Sequence, residues 1–348
     1  MTLMTSKKIL FFSLRLAVFA GAVAFVLTQI DFSDRTVMLE DGTCTVTPGV
    51  FTLFRGAHPG WTMLAFLSFF LFTFCGVVRW WLLLLTQGIR LSLLEAFRLS
   101  YIGIFFNNVL PGLTGGDLVK AVAVARRVPA ARARAVTTIF VDRVLGLLAL
   151  MILGSLAALA GIGNPVFRDA ALLLICLLGA GALISVPLLF KTLRRTLCLE
   201  RVLHSLPFQN LLREVDAALQ LYRNRAGVVS SIFLFSMFGQ VFGLVDAWFM
   251  ARALGIDLSL LHILIIVPVI QVFCIVPISP GAWGVGEGLF VYFFRFINIG
   301  ASSAAGISIG CRLIYTVQSL LGGLFLLLAP EDMRAAQREA AREVRDRS

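Results

Sequence analysis

Residues 101–125, YIGIFFNNVLPGLTGGDLVKAVAVA, decide the fold of this chain. The segment is apolar enough to enter a membrane, yet Pro111-Gly112 and Gly115-Gly116 interrupt it in the middle. A helix of this length would be under ~40 Å long, which is too short to cross a ~30 Å hydrocarbon core twice. Arg98 precedes the segment and Arg126 follows it, so both ends are predicted to be cytoplasmic. We therefore predict a re-entrant hairpin, whose broken backbone must be covered by protein or by a wet cavity.

The whole chain has the composition of an integral membrane protein. Hydrophobic residues make up 59% and charged residues 14% of its 348 residues, whereas soluble proteins average about 45–50% and 25%. The net charge of +11 lies in blocks between apolar runs, which is typical of cytoplasmic loops and argues against a nucleic-acid partner. The cysteines and histidines show no metal-binding spacing, and no nucleotide or nucleophile motif occurs. We expect no metal, no cofactor and no enzymatic activity.

Six full transmembrane helices are predicted in one membrane domain that covers residues 1–348. They run over 9–30, 61–87, 136–159, 170–190, 228–254 and 302–329. The acidic segment 31–60 is expected outside, whereas the basic segment 191–225 is expected to form an amphipathic helix on the inner membrane surface. The tail 331–348 is basic enough to lie inside. We expect a cytoplasmic (inner) membrane protein with both termini in the cytoplasm.

A second broken segment, residues 258–300, is predicted to begin and end outside, and it suggests an internal repeat. The sequence GIRLSLL at Gly88–Leu94 returns as GIDLSLL 167 residues later. Gly286-Glu287 follows Gly116-Asp117 at nearly the same separation, and Arg312 follows Arg143 at nearly the same separation too. The sequence therefore predicts an all-α polytopic membrane protein with inverted repeats, about 9–160 and 170–329, each containing one re-entrant hairpin. Secondary transporters bind their substrates where such broken helices meet.

Polar residues in and near the two hairpins are the candidate substrate ligands, because a charge in the bilayer is costly and usually functional. They are Asn107, Asn108, Gly115, Gly116, Asp117, Lys120, Asp142, Arg143, Pro280, Gly281, Glu287 and Arg312. Arg143 and Arg312 are the favoured ligands for a lipid phosphate, since the guanidinium fork matches phosphate.

Several alternatives stay open for these residues. Asp117 and Lys120 either pair with each other, three residues apart, or lie where the start of the half-helix binds an anionic head group. Asp142-Arg143 lies either at the cytoplasmic interface or in the same cavity as the hairpin. Arg312 is expected to pair with Glu287. Arg79 and Asp246, which adjoin tryptophans, are predicted to be interfacial anchors.

The motifs FNNVLPG (Phe106–Gly112) and GGD (Gly115–Asp117), followed by Asp142-Arg143, resemble the membrane domain of lysylphosphatidylglycerol synthases. That domain also occurs alone, in flippase-like membrane proteins of the UPF0104 type. The stretch from Pro277 to Glu287 is similar to the second signature of the family, although Gly286 stands where that signature often has Arg, and Lys120 where Arg is common. No counterpart of the soluble aminoacyl-transferase domain is found, so lysyl transfer is not expected.

The resemblance implies a lipid translocase that moves an anionic or isoprenoid-type lipid between leaflets. Its partners would be membrane lipids, and a homo-oligomer or a lipid-modifying partner stays open. One alternative is a membrane enzyme that modifies lipid head groups, with Asp117, Asp142 and Glu287 as acid/base or metal-binding groups. Another is an accessory subunit of a lipid-modifying system, which would dock through 191–225 and the tail.

Overall fold

The computed structural model describes residues 30–38, 44–109, 115–128, 131–161, 165–189, 220–275 and 282–328, together with Ala24, Leu27, Thr28 and Gly163. Nearly all of the predicted first span therefore lies outside the described residues, as do the tail 331–348 and most of the segment 191–225. The same is true of the two proline-glycine breaks at Pro111-Gly112 and Pro280-Gly281.

Helices make up almost all of the described residues. In chain order the elements are β1 (Arg35–Met38), β2 (Cys44–Thr47), α1 (Val50–Arg55), α2 (Pro59–Thr86), α3 (Leu93–Val109), α4 (Gly115–Arg127), α5 (Arg132–Ala160), α6 (Pro165–Leu189), α7 (Ala226–Ala253), α8 (Leu260–Cys274), α9 (Val285–Phe294), a 3-10 turn (Arg295–Ile297) and α10 (Ala301–Leu327). The chain is an all-α polytopic membrane protein, as predicted.

Four of the described helices are long and apolar enough to cross a membrane: α2, α5, α7 and α10. Each begins and ends within four residues of the span predicted for it. Helix α2 starts with Pro59, where the missing backbone N–H costs nothing, and the His58 imidazole accepts from the Gly60 N–H at 3.2 Å. The prediction of six full spans and two re-entrant hairpins stays a prediction.

The polar segment after the first predicted span contains a small hairpin that the sequence patterns did not predict. Strands β1 and β2 pair antiparallel with Arg35 opposite Thr47. Asp34 stabilises the segment that leads into α1, because its Oδ1 accepts a hydrogen bond from the Gly49 N–H at 2.9 Å. Hydrogen bonds from the Thr52 side chain and the Gly49 backbone hold the pKa of Asp34 below its usual value. Each strand has only four residues, which is too short for a clear alternation of apolar and polar residues.

Helices α2 and α7 pack along each other. Glycines on α7 permit this approach: a Cβ at Gly239 would lie 2.7 Å from the Cys75 Cβ, and one at Gly243 would lie 2.7 Å from the Phe72 ring. The Ser68 hydroxyl also donates to the Phe242 carbonyl at 2.9 Å. The glycines of α7 therefore leave room for the Cys75 and Phe72 side chains of α2, and the two helices approach closely.

Helices α3 and α4 form the first broken pair, and backbone contact holds them together. A Cβ at Gly116 would overlap the carbonyl oxygen of Gly103. Helix α3 makes a similar contact on its other side, where a Cβ at Gly322 of α10 would overlap the Tyr101 carbonyl. Small residues at these crossings thus fix the position of the broken helices against the bundle.

The ends of α2 and α7 have the same local structure. Gly88 and Gly255 follow these helices with φ angles of +75° and +72°, values that L side chains rarely adopt. The Trp81 indole donates to a carbonyl ten residues later at 2.8 Å, and the Trp248 indole does the same at 2.9 Å. Corresponding residues of these two turns are 167 positions apart.

Candidate functional site

Charged side chains form two clusters inside the bundle. The first cluster consists of Arg79 on α2, Asp117 and Lys120 on α4, and Asp142 and Arg143 on α5. The second cluster consists of Glu287 on α9 and Arg312 on α10. Each contains an ion pair between a broken helix and the long helix that follows it in the chain.

Arg143 and Asp117 form a bidentate ion pair in the first cluster. The Nε and Nη2 atoms of Arg143 donate to the two carboxylate oxygens of Asp117 at 2.6 and 2.8 Å. Asp117 lies in the first turn of α4, where the helix dipole favours an anion. The Arg143 side chain is 57% exposed in spite of this pairing. The partner of Asp117 is therefore Arg143 instead of Lys120, and Arg143 contacts α4. Whether Asp142-Arg143 lies at the cytoplasmic interface or in a cavity of the hairpin stays a prediction.

Arg79 and Asp142 form the buried part of the first cluster. The Arg79 Nε donates to Asp142 Oδ1 at 2.7 Å, and Nη1 donates to the Ser236 hydroxyl of α7 at 2.7 Å. This network connects α2, α5 and α7, and a glycine at 146 leaves space for the guanidinium. The prediction that Arg79 is an interfacial anchor was wrong, because its side chain points into the bundle instead of toward the surface.

Lys120 is the third basic residue of the first cluster. It is 8% exposed, and its ammonium lies 3.6 Å from the centre of the Trp80 ring. Trp80 is fully buried, and its indole donates to the Thr138 hydroxyl at 3.1 Å. Among the described residues, no carboxylate lies within salt-bridge distance of Lys120. The first cluster therefore combines three basic side chains with two carboxylates.

The predicted asparagines connect α3 to α4 and to α10. Asn107 Oδ1 accepts from the Gly116 N–H at 2.7 Å, so this N–H at the start of α4 is already occupied. Asn108 Nδ2 donates to the Ser319 hydroxyl of α10 at 3.1 Å. These contacts assign a structural role to Asn107, Asn108 and Gly116, whereas Gly115 begins helix α4.

The predicted pair of Glu287 and Arg312 is confirmed in the second cluster. The Arg312 Nε donates to Glu287 Oε1 at 2.6 Å, and the other carboxylate oxygen accepts from the Gly284 N–H at 2.6 Å. Arg312 also donates to the Ala282 carbonyl at 3.1 Å. A Cβ at Gly286 would lie 2.7 Å from Arg312 Nη2, so this glycine makes room for the guanidinium.

Asp246 of α7 is a further acidic residue inside the bundle. It is 6% exposed, so the prediction that it is an interfacial anchor was also wrong. Its neighbour on α10 is Cys311, which lies within electrostatic reach of both Asp246 and Arg312.

The structure thus divides the predicted site residues between two places. Asp117, Lys120, Asp142 and Arg143 come together in the first cluster, whereas Glu287 and Arg312 form the second. Pro280 and Gly281 lie outside the described residues. Sequence reasoning missed Arg79, Trp80 and Ser236, although one signal was present. A carboxylate buried in a membrane helix needs a cation, and Asp142 had none assigned to it.

The chain is similar to known membrane proteins over most of its length. The family model described as "Lysylphosphatidylglycerol synthase TM region" matches residues 12–322. A UPF0104 membrane protein of Pyrococcus horikoshii is 23% identical over 292 residues, which cover 76% of this chain and 86% of the relative. A UPF0104 membrane protein of Methanocaldococcus jannaschii is 21% identical over 294 residues, which cover 79% and 87%.

Proposed function

Because the chain belongs to the lysylphosphatidylglycerol synthase transmembrane-region family, we propose that it moves a lipid with a phosphate head group between membrane leaflets. The lipid is an anionic phospholipid or an isoprenoid phosphate, and it leaves the protein chemically unchanged. The protein acts in the cytoplasmic membrane with both termini in the cytoplasm. The family is related to lipids, which supports this choice of substrate class.

The observation that carries the proposal is the buried ammonium of Lys120, which has no carboxylate within salt-bridge distance among the described residues. An ammonium at the centre of a membrane helix costs about 2.5–3.5 kcal/mol. Its contact with Trp80 stabilises the cation but does not neutralise it. A phosphate bound beside Lys120 would balance the three basic and two acidic side chains of the first cluster.

Arg143 supplies the second contact to the phosphate. Its guanidinium is aligned by the two oxygens of Asp117, and a phosphate offers the same bidentate geometry. Since the Arg143 side chain is 57% exposed, a head group can reach it without unfolding the bundle. In this mechanism the phosphate displaces Asp117 from Arg143, whereas the Arg79–Asp142 pair stays in place as a fixed support.

We further propose that the two halves form an inverted repeat in which α2, α3, α4 and α5 correspond to α7, α8, α9 and α10. The helix contacts support this correspondence. Helix α3 packs on α10 as α8 packs on α5, and α4 packs on α5 as α9 packs on α10. The second cluster then lies in the outer half of the membrane, opposite the first. Rocking of the repeats would expose the two clusters alternately.

Lipid exchange in liposomes tests the proposed function. The purified protein is reconstituted with labelled anionic phospholipids, zwitterionic phospholipids or a polyprenyl phosphate, and exchange between leaflets is measured. We expect one of the phosphate-bearing anionic lipids to exchange faster than in empty vesicles and faster than the zwitterionic lipids. Mass spectrometry of the recovered lipid should show no chemical change. Exchange equal to that of empty vesicles for every lipid would contradict translocation, and a modified lipid would indicate an enzyme.

A further inference from the structure

Asp246 is a buried carboxyl group that has no cation beside it in the part of the chain that the structure describes. It lies on α7, seven residues before the end of the helix, and is 6% exposed. Among the described residues, no Lys, Arg or His lies within salt-bridge distance of it. The other carboxylates inside the bundle, Asp117, Asp142 and Glu287, each pair with an arginine.

The helices packed against α7 bring no free cation to Asp246. These helices are α2, α5, α8 and α10. Their basic side chains contact other groups or lie at helix ends: Arg79 pairs with Asp142, Arg143 with Asp117, Arg312 with Glu287, Arg134 donates to the Gln87 carbonyl, Arg132 is exposed, and His262 packs on Phe167. Arg252 of α7 itself pairs with Asp257. The other titratable side chains on these helices are the thiols of Cys75, Cys274 and Cys311 and the hydroxyl of Tyr315, and Cys311 lies within electrostatic reach of Asp246.

The proposed repeat explains why this acid has no partner. Asp246 stands 167 residues after Arg79, and Cys311 stands 169 residues after Asp142. The first repeat thus places an ion pair between these two positions, whereas the second places a carboxyl group and a thiol there. The second repeat has an aspartate where the first repeat has an arginine. The cation is therefore missing, and an acid lies at the equivalent depth.

A carboxyl group at the position of Asp246 is stable inside the membrane when it carries a proton. An isolated carboxylate in a low-dielectric interior is strongly unfavourable, whereas the protonated acid is neutral. Loss of the proton therefore requires access to water, which a change between the two faces of a transporter would provide.

We propose that Asp246 is a proton-binding site that couples lipid movement to a proton gradient across the membrane. This inference rests on the proposed function. In the described conformation the carboxyl group keeps its proton. When the outer half opens, the O–H bond breaks, the proton passes to water, and the carboxylate left behind draws Arg312 away from Glu287. The outer half then closes, and a proton from the cytoplasmic water binds Asp246 and restores the Arg312–Glu287 pair, so each cycle carries one proton across the membrane.

Exchange under an imposed pH gradient tests the coupling. If one proton moves with each lipid, a gradient of one pH unit shifts the steady-state ratio of lipid between leaflets by about tenfold. The Asp246→Asn variant keeps the shape of the protonated acid but cannot release a proton, so its ratio should not respond to the gradient. Asp257→Asn is the matched control, since Asp257 is an exposed carboxylate after α7, and it should respond as the parent does. A parental response in Asp246→Asn would overturn the proposal.

A second measurement does not depend on transport. Infrared spectra of the detergent-purified parent at neutral pH should contain a carboxylic-acid C=O band that Asp246→Asn lacks and Asp257→Asn retains. If the band is present without any lipid exchange, the proton site stands and the proposed translocation fails. If the parent shows no such band, or Asp246→Asn keeps it, the proton site is wrong. If the variant fails to fold, the absence of the band from the parent's own spectrum would still exclude the proton site.

Discussion

Arg312→Met is expected to lower the free energy of unfolding by about 3–5 kcal/mol, because it leaves a buried carboxylate without its cation. Glu287 is only 3% exposed, and Arg312 is its partner at 2.6 Å. The carboxylate cannot turn toward water either, since its second oxygen caps α9 by accepting from the Gly284 N–H. Thermal and denaturant unfolding in detergent would measure the loss.

Two variants control for this prediction. Arg252→Met removes the same side chain from an exposed pair with Asp257, so it should cost at most about 1 kcal/mol. The double variant Arg312→Met with Glu287→Gln removes both charges and keeps an oxygen that can cap α9. We expect it to recover most of the lost stability. If Arg312→Met is as stable as Arg252→Met, the Arg312–Glu287 pair is not shielded from water, and the second cluster is open to solvent.

Gly116→Ala is expected to have a similarly large effect on the first hairpin. The new Cβ would overlap the Gly103 carbonyl oxygen, and it would lie 2.9 Å from the Asn107 Cγ. Because the obstacle is backbone, α3 and α4 must separate, at a cost toward or above the upper end of the about 1–3 kcal/mol typical of overpacking. Unfolding in detergent should therefore begin at a clearly lower temperature.

Gly76→Ala is the matched control for this substitution. A Cβ at Gly76 would meet no atom within 4 Å, and alanine favours a helix over glycine by up to about 1 kcal/mol. This variant should be as stable as the parent or slightly more stable. Equal stability of Gly116→Ala and Gly76→Ala would show that α3 and α4 are not in backbone contact.

The long helices were predictable from the sequence because their signal is local. Twenty or so consecutive apolar residues identify a span regardless of what packs against it. The Glu287–Arg312 pair was predictable for a related reason. Arg312 lies in the middle of α10, too deep to reach either membrane surface, so an acidic partner was required.

The arrangement of the first cluster was not predictable in the same way. Spacing along α4 suggested Lys120 as the partner of Asp117, but the true partner, Arg143, lies 26 residues away on another helix. Spacing rules describe neighbours on one helix, whereas this contact depends on how α4 and α5 pack. Arg79 was misjudged for the same reason, since nothing beside it in the sequence reveals Asp142 or Ser236.

In the proposed mechanism, Lys120 and Arg143 bind the phosphate of the transported lipid. Exchange of the anionic lipid that the parent transports, measured in matched liposomes, tests this binding. Lys120→Met packs against Trp80 without the charge, and Arg143→Lys keeps the charge without the planar fork. Loss of one charged hydrogen bond, about 1.5–3 kcal/mol, should slow exchange about tenfold to a hundredfold in each variant. Arg90→Met, which removes an exposed charge between α2 and α3, should exchange lipid at the parental rate. Parental rates in both Lys120→Met and Arg143→Lys, with folding intact, would contradict the proposed binding.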